Sequence, residues 1–228
     1  MRIYFAGLAL LLTVPVVADE HADIVKRAFS NISDDFHQEW AFTESVTEEG
    51  VTIVGRYDPR FSDDARWNLL TIDDRAPTAD EIADYKDDKE DEFHSHDDDS
   101  EIDMVNLKTL ELIEETNDSW VFRFIPEVDD DEDEEARRFV QQVDGTIKII
   151  RDGNYLEYID LRNEKPIRPA FSVKISRFLT RLTFGPAGDG GPIVPLSIDV
   201  NVRGRALLVI RIDEQESVRY DDYEFVGS

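Results

Sequence analysis

The sequence predicts a mainly β protein with a few helices, in which about eleven antiparallel strands form one strongly curved sheet. Three observations carry that prediction. The stretch from Lys165 to Val226 reads as consecutive strands over Phe171–Phe184, Ile193–Arg203, Arg205–Asp213 and Glu216–Val226. In the second of these, Ile198, Val200 and Val202 alternate with Ser197, Asp199, Asn201 and Arg203, the period-two pattern of a strand with one buried face. The alternation then changes phase at Ser176–Arg177 and again at Asp221–Asp222, which calls for a bulge or bend at each, as a curved sheet needs. Finally, tight-turn signals recur along the chain and no strand–helix–strand crossover pattern does, so neighbouring strands should pair antiparallel.

The chain opens with Met1–Arg2, an apolar run Ile3–Val17 and the small-residue end Val16-Val17-Ala18. That is the pattern of a secretory signal peptide cut after Ala18, and the run is too short to favour a membrane span of about 20 residues. The expected product is a periplasmic or secreted protein, a single domain over residues 19–228 with no stable membrane anchor. The chain has no cysteine, so a hydrophobic core must stabilise it without disulfides.

Asp19–Ser33 predicts an amphipathic helix, with Ile24, Val25, Ala28, Phe29 and Ile32 on one face. Trp40–Val46 and Val51–Asp58 form a hairpin around Thr47-Glu48-Glu49-Gly50, and Arg66–Ile72 a third strand. Thr78-Ala79-Asp80-Glu81 is a capping box that opens a short helix through Ile82 and Tyr85. That helix fades into an acidic loop at 87–101, read as solvated and mobile. Leu107–Glu115 and Trp120–Pro126 are strands. A second acidic loop, 127–135, leads into a helix with Ala136, Phe139, Val140 and Val143 on one side. Thr146–Arg151 and Asn154–Leu161 flank Asp152-Gly153, a strong hairpin signal.

Charge bounds the partners. The formal net charge is −27, and loss of residues 1–18 removes one Arg and no acid, taking it to −28. That argues against nucleic acid and against adsorption to anionic membrane surfaces. Enzymatic motifs are missing: there is no Gly-x-Ser-x-Gly, no His-Glu-x-x-His, no phosphate-binding glycine loop and no cysteine nucleophile. His94-Ser95-His96 with Asp97–Asp99, and Asp129–Asp133, lack the spacing and rigidity of a metal site, so no metal or cofactor is expected.

Two features remain as candidates for binding. From Lys165 through Phe184 the chain carries Lys165, Arg168, Lys174, Arg177 and Arg181 and no acid. These cations either pair with the protein's own acidic loops or receive an anionic headgroup. Trp40, Phe42, Tyr57, Trp67, Trp120, Phe122, Phe124, Phe178 and Phe184 all fall on predicted strands. They either pack a core or line an apolar cleft.

Arg56-Tyr57-Asp58-Pro59, followed by Phe61 and Arg66-Trp67, is similar to the Arg-Pro…Phe-Arg-Trp segment of the periplasmic outer-membrane lipoprotein carriers (LolA/LolB-like). Together with the leader, the first helix and the strand count, the chain resembles that superfamily as a distant relative. The resemblance implies a half-open barrel with helices on its concave side, Arg56 near the cleft mouth and Trp67 on the sheet. The functional expectation is a non-enzymatic carrier holding a lipid, acyl chain or other amphiphile. Trp40, Phe42, Tyr57, Trp67, Trp120, Phe122, Phe124, Phe178 and Phe184 would contact the tail, and Arg56, Arg168, Lys174, Arg177 and Arg181 the head. The alternatives are an envelope scaffold that uses its acidic loops against a partner protein, and a secreted hydrolase using paired carboxylates.

Overall fold

A computed structural model describes residues 16–33, 36–95, 104–128, 134–188, 190–207 and 210–227. Most of the expected leader, the His96–Asp99 end of the histidine–acid run and Asp129–Asp133 lie outside the described residues. Ten antiparallel strands form one sheet that does not close on itself. They are β1 Trp40–Glu48, β2 Val51–Tyr57, β3 Trp67–Ile72, β4 Glu111–Glu115, β5 Ser119–Phe124, β6 Asp144–Ile150, β7 Tyr155–Arg162, β8 Val173–Pro186, β9 Ile193–Ala206 and β10 Ile210–Phe225. The order is β3-β2-β1-β10-β9-β8-β7-β6-β5-β4, so the N-terminal three-stranded unit joins the C-terminal strand and β3 and β4 are left as edges. Among the described residues five α-helices accompany them: α1 Val16–Phe29, α2 Phe36–Glu39, α3 Asp63–Arg66, α4 Ala79–Ser95 and α5 Glu134–Val140.

The expected count of eleven is corrected to ten. Gly204, between Arg203 and Arg205, reads as a turn, but β9 runs through it to Ala206. Glycine serves there because a Cβ would meet the Lys174 carbonyl oxygen at 2.5 Å, where the bulge in β8 between Ile175 and Arg177 presses on β9. That bulge and the irregularity of β1 and β10 around Asp222 (φ 51°) fall where the alternation changes phase. The hairpins at Glu49–Gly50 and Gly153–Asn154 use positive φ at those residues.

Register shows how the core is laid out. Leu112, Phe122, Ile147, Ile159, Leu182, Ile198, Val218, Val46, Ile53 and Ile72 are each paired with the next across neighbouring strands. Directly opposed residues share a face. One apolar row therefore crosses all ten strands on a single side of the sheet. At β5–β7 it is covered by α1, whose Ile24, Val25, Ala28 and Phe29 are buried in one cluster with Phe122, Phe124, Ile147, Ile149, Ile159 and Phe184. Gly145 lets the Phe124 ring lie flat on β6, since a Cβ there would sit 2.2 Å from it.

The helix α4 covers the other end of the same face. It is longer than its apolar pattern predicts and carries the acidic run as far as Ser95, so the expected loop from 87 is helical up to that point. Two residues four apart hold it. Tyr85 lies over Gly55, whose Cβ would be 2.0 Å from the Tyr85 hydroxyl, and Lys89 reaches Glu44.

The capping box forms as expected. Thr78 N donates to Glu81 Oε2 at 2.7 Å, Glu81 N donates to Thr78 Oγ1 at 3.3 Å, and Arg75 Nη1 donates to Glu81 Oε2 at 2.9 Å. Arg75 first, then Thr78, hold the Glu81 carboxyl down at about 2. A depressed carboxyl stabilises fully above its unfolded value of about 4.3, and that contribution is lost as pH falls toward 2. Carboxyl NMR titration should place Glu81 near pH 2 in the intact protein, and Arg75→Ala should move it up toward the ordinary range.

Candidate functional site

The helix-bearing face has a covered half and a half-covered one. Beneath α1 the row residues Phe122, Ile147 and Ile159 are fully buried. Beyond it, Leu182, Ile198, Val46, Ile53 and Ile72 are only partly buried, as are Val200 and Val202 on β9 beside them. These aliphatic side chains occupy the half-covered stretch of the face between the strands under α1 and those under α4. The helix α5 borders it, with the Phe139 ring 4.9 Å from Phe178 on β8.

One end of this stretch is aromatic. The Phe42 ring stacks on Tyr57 at 5.1 Å, and Trp67, Tyr220 and Tyr223 stand 5.8, 5.7 and 5.6 Å from it. Trp67 meets Tyr57 at 5.0 Å and Tyr85 of α4 at 6.3 Å. Trp40 packs on Phe225 at 5.2 Å. The Tyr57 hydroxyl donates to the His37 carbonyl at 2.7 Å and Tyr223 donates to the Pro195 carbonyl. Burial first, then Asp221, raise the Tyr223 phenol well above its ordinary value, so it stays a donor.

Within this aromatic surround lies an ion pair. Lys89 Nζ is 2.6 Å from Glu44 Oε1 and 4.8 Å from the Trp67 ring centroid. The two residues are only 8% and 4% exposed, which makes a desolvated pair with the Trp67 ring against its ammonium. Sequence reading missed both, because one sits in an alternating strand and the other in an acid-rich run. The i, i+4 spacing of Tyr85 and Lys89 was the available signal.

The predicted aromatic residues separate into groups. Phe42 and Tyr57 are buried and Trp67 partly so at the α4 end, with Trp40 beside them. Phe122, Phe124 and Phe184 belong to the core under α1. Trp120 borders that core beneath the Arg151 guanidinium, 4.2 Å from its ring. Phe178 faces α5.

The predicted cations lie elsewhere. Arg56 alternates with Gly55 and Tyr57 and so points to the opposite face, where it donates to the Asp222 carbonyl at 2.8 Å and to Glu224 at 3.2 Å, bracing the β1–β10 bulge. The cleft-mouth position implied by the resemblance is not where it sits. Arg181, also on that face, makes a two-pronged contact with Asp160 and lies 4.6 Å over the Tyr158 ring. Asp160 first raises the Arg181 pKa further. Arg177 lines a depression of about 690 Å³ with Asp199 and Asp213, and Lys174 a second of about 510 Å³ at the end of the sheet with Arg168 and Arg205. Headgroup cations and tail-contacting rings therefore do not meet in one cleft.

Among the described residues no group of three or more His, Asp or Glu side chains is placed to hold a metal, and no helix is long and apolar enough to cross a membrane. Comparison with protein-family models, with curated proteins and with solved structures finds no match for this chain.

Proposed function

We propose that this protein is an exported, non-enzymatic carrier, and that the half-covered apolar stretch is a trough that holds an acyl chain or similar amphiphile. The open sheet would bend around that ligand as a half-open barrel of the kind its resemblance to lipoprotein carriers implies. The observation that carries this reading is the apolar row: ten aliphatic or aromatic residues in register, fully buried at three strands under α1 and left partly uncovered over most of the remainder. A monomeric protein gains little by extending an apolar stripe past its own cover, and such surface marks a binding site. Each buried methylene of a tail contributes about 0.8 kcal/mol, so a chain of some ten carbons supplies about 8 kcal/mol before binding costs.

The headgroup would lie toward the aromatic end or toward Glu216, which pairs with Val200, and Glu48, which pairs with Glu216. Those acids disfavour an anionic head at that end and favour a neutral or zwitterionic one. Native mass spectrometry of the purified chain, with lysophosphatidylcholine and fatty acid titrated in turn, tests the reading. A saturable one-to-one adduct is expected, lost in Val200→Glu, which sets a carboxylate on the floor. A clean unliganded mass at every concentration would sink the carrier reading and leave an interaction protein in its place.

A further inference from the structure

We propose that the end of the sheet formed by β8, β9 and β10 is a docking tip for anionic lipid bilayers, with Phe171, Leu207 and Ile210 entering the interface and Lys174, Arg205 and Arg211 meeting the headgroup phosphates.

Charge placement is the first support. Lys174 pairs in register with Arg205, and Arg205 with Arg211, so three cations stand directly opposite one another on neighbouring strands. Like charges so placed destabilise a sheet unless an anion answers them. The sequences 165–181 and 200–212 contain no acid, and antiparallel pairing brings these two stretches together. The nearest carboxylate in the rows, Asp213, is shared between Arg203 and Arg211. Among the described residues no carboxylate pairs with Lys174 or Arg205.

The apolar residues are the second support. Phe171 is fully exposed, and Leu207 and Ile210 are 63% and 53% exposed. They are one unit, because Leu207 N donates to the Ser172 carbonyl at 2.7 Å and Ile210 pairs with Ala206, itself opposite Val173. Leu207 has φ 50°, a conformation that glycine or asparagine takes far more easily. An exposed leucine held there is a costly choice for a turn and a useful one for insertion.

Shape favours a bilayer over a protein. Three strands about 4.8 Å apart make a tip roughly 10 Å across, far less than the about 800 Å² per partner that a stable protein interface needs. An apolar tip flanked on one face by long basic side chains instead matches the depth profile of a membrane interface. The net charge of −27 does not forbid this. Strand β9 is 14 residues long, roughly 45 Å, so an end-on contact leaves most of the sheet several Debye lengths of about 8 Å away. The acidic body then repels side-on approach and orients the molecule. None of this depends on what the trough holds.

The test is co-sedimentation of the full chain with vesicles of phosphatidylglycerol and phosphatidylcholine, against phosphatidylcholine alone. Binding is expected only with phosphatidylglycerol, falling steeply between low and high salt. Lys174→Gln/Arg205→Gln/Arg211→Gln should weaken it roughly 100-fold. Phe171→Ser/Leu207→Asn should weaken it about tenfold, with asparagine chosen because it tolerates the turn. All variants carry the same N-terminal segment, so their differences read the tip. Absence of a phosphatidylglycerol preference, or partitioning unchanged by salt and by both variants, overturns the proposal.

Discussion

Lys89→Met is expected to cost this protein about 3–5 kcal/mol, as removal of one partner from a buried ion pair does. Glu44 would remain among Phe42, Trp67 and Tyr85 with its nearest countercharge gone, 2.6 Å from where the ammonium now sits. Surface pairs such as Arg138–Glu134, both well exposed, should by contrast cost at most about 1 kcal/mol when broken. The discriminating variant is the double one. Glu44→Leu/Lys89→Met removes both charges and should recover most of the loss, because an apolar pair of similar size is often as stable as a buried salt bridge. Urea unfolding followed by tryptophan fluorescence measures all three. A small loss in the single variant would mean that Glu44 is served by other donors and that α4 is held by Tyr85 alone.

The pair also explains why one acidic run was misjudged. Asp87–Glu101 is so rich in carboxylates that composition alone reads it as a solvated loop, yet α4 continues to Ser95. One lysine, placed four residues after the tyrosine that fits over Gly55, ties that acidic segment to the sheet. Tertiary contact overrides composition there. The alternating strands and both phase slips were legible because period two and its interruption follow directly from which side chains face the core. Gly204 was not legible, since a glycine needed for close backbone approach and a glycine needed for a turn look alike in one sequence. The true turn begins at Leu207, which carries no turn chemistry.

The binding candidates were half legible for a similar reason. Parity within each strand assigns residues to two faces, but only the pairing register tells which face of one strand continues which face of the next. The aromatic set and the basic set look like one amphiphile site when the faces are unknown. Register puts Arg56, Arg177 and Arg181 on the side opposite Phe42, Phe178 and Phe184. It also joins Lys174 to Arg205 and Arg211, whose own acid-free stretch from 200 to 212 was visible in the sequence. Net charge averaged over the chain concealed that local excess.

Phe122→Ala and Ile198→Ala should behave oppositely although both truncate one apolar row. Phe122 is fully buried against α1, with His21 5.2 Å from its ring, and its removal opens a cavity that costs about 3–5 kcal/mol. For a chain of 228 residues that lowers the melting temperature by roughly 6–20 °C. Ile198 is only partly buried, so truncation there should cost less than about 1.5 kcal/mol. Ligand stabilisation should run the other way. Lysophosphatidylcholine should still raise the melting temperature of the destabilised Phe122→Ala protein, and should raise that of Ile198→Ala much less than the parent's, because ligand linkage depends on the affinity of the trough alone. Thermal unfolding with and without the amphiphile reads both quantities at once. If Ile198→Ala proved as destabilising as Phe122→Ala, the protein's own side chains would fill the trough, and the row would be core from edge to edge with no room for a ligand.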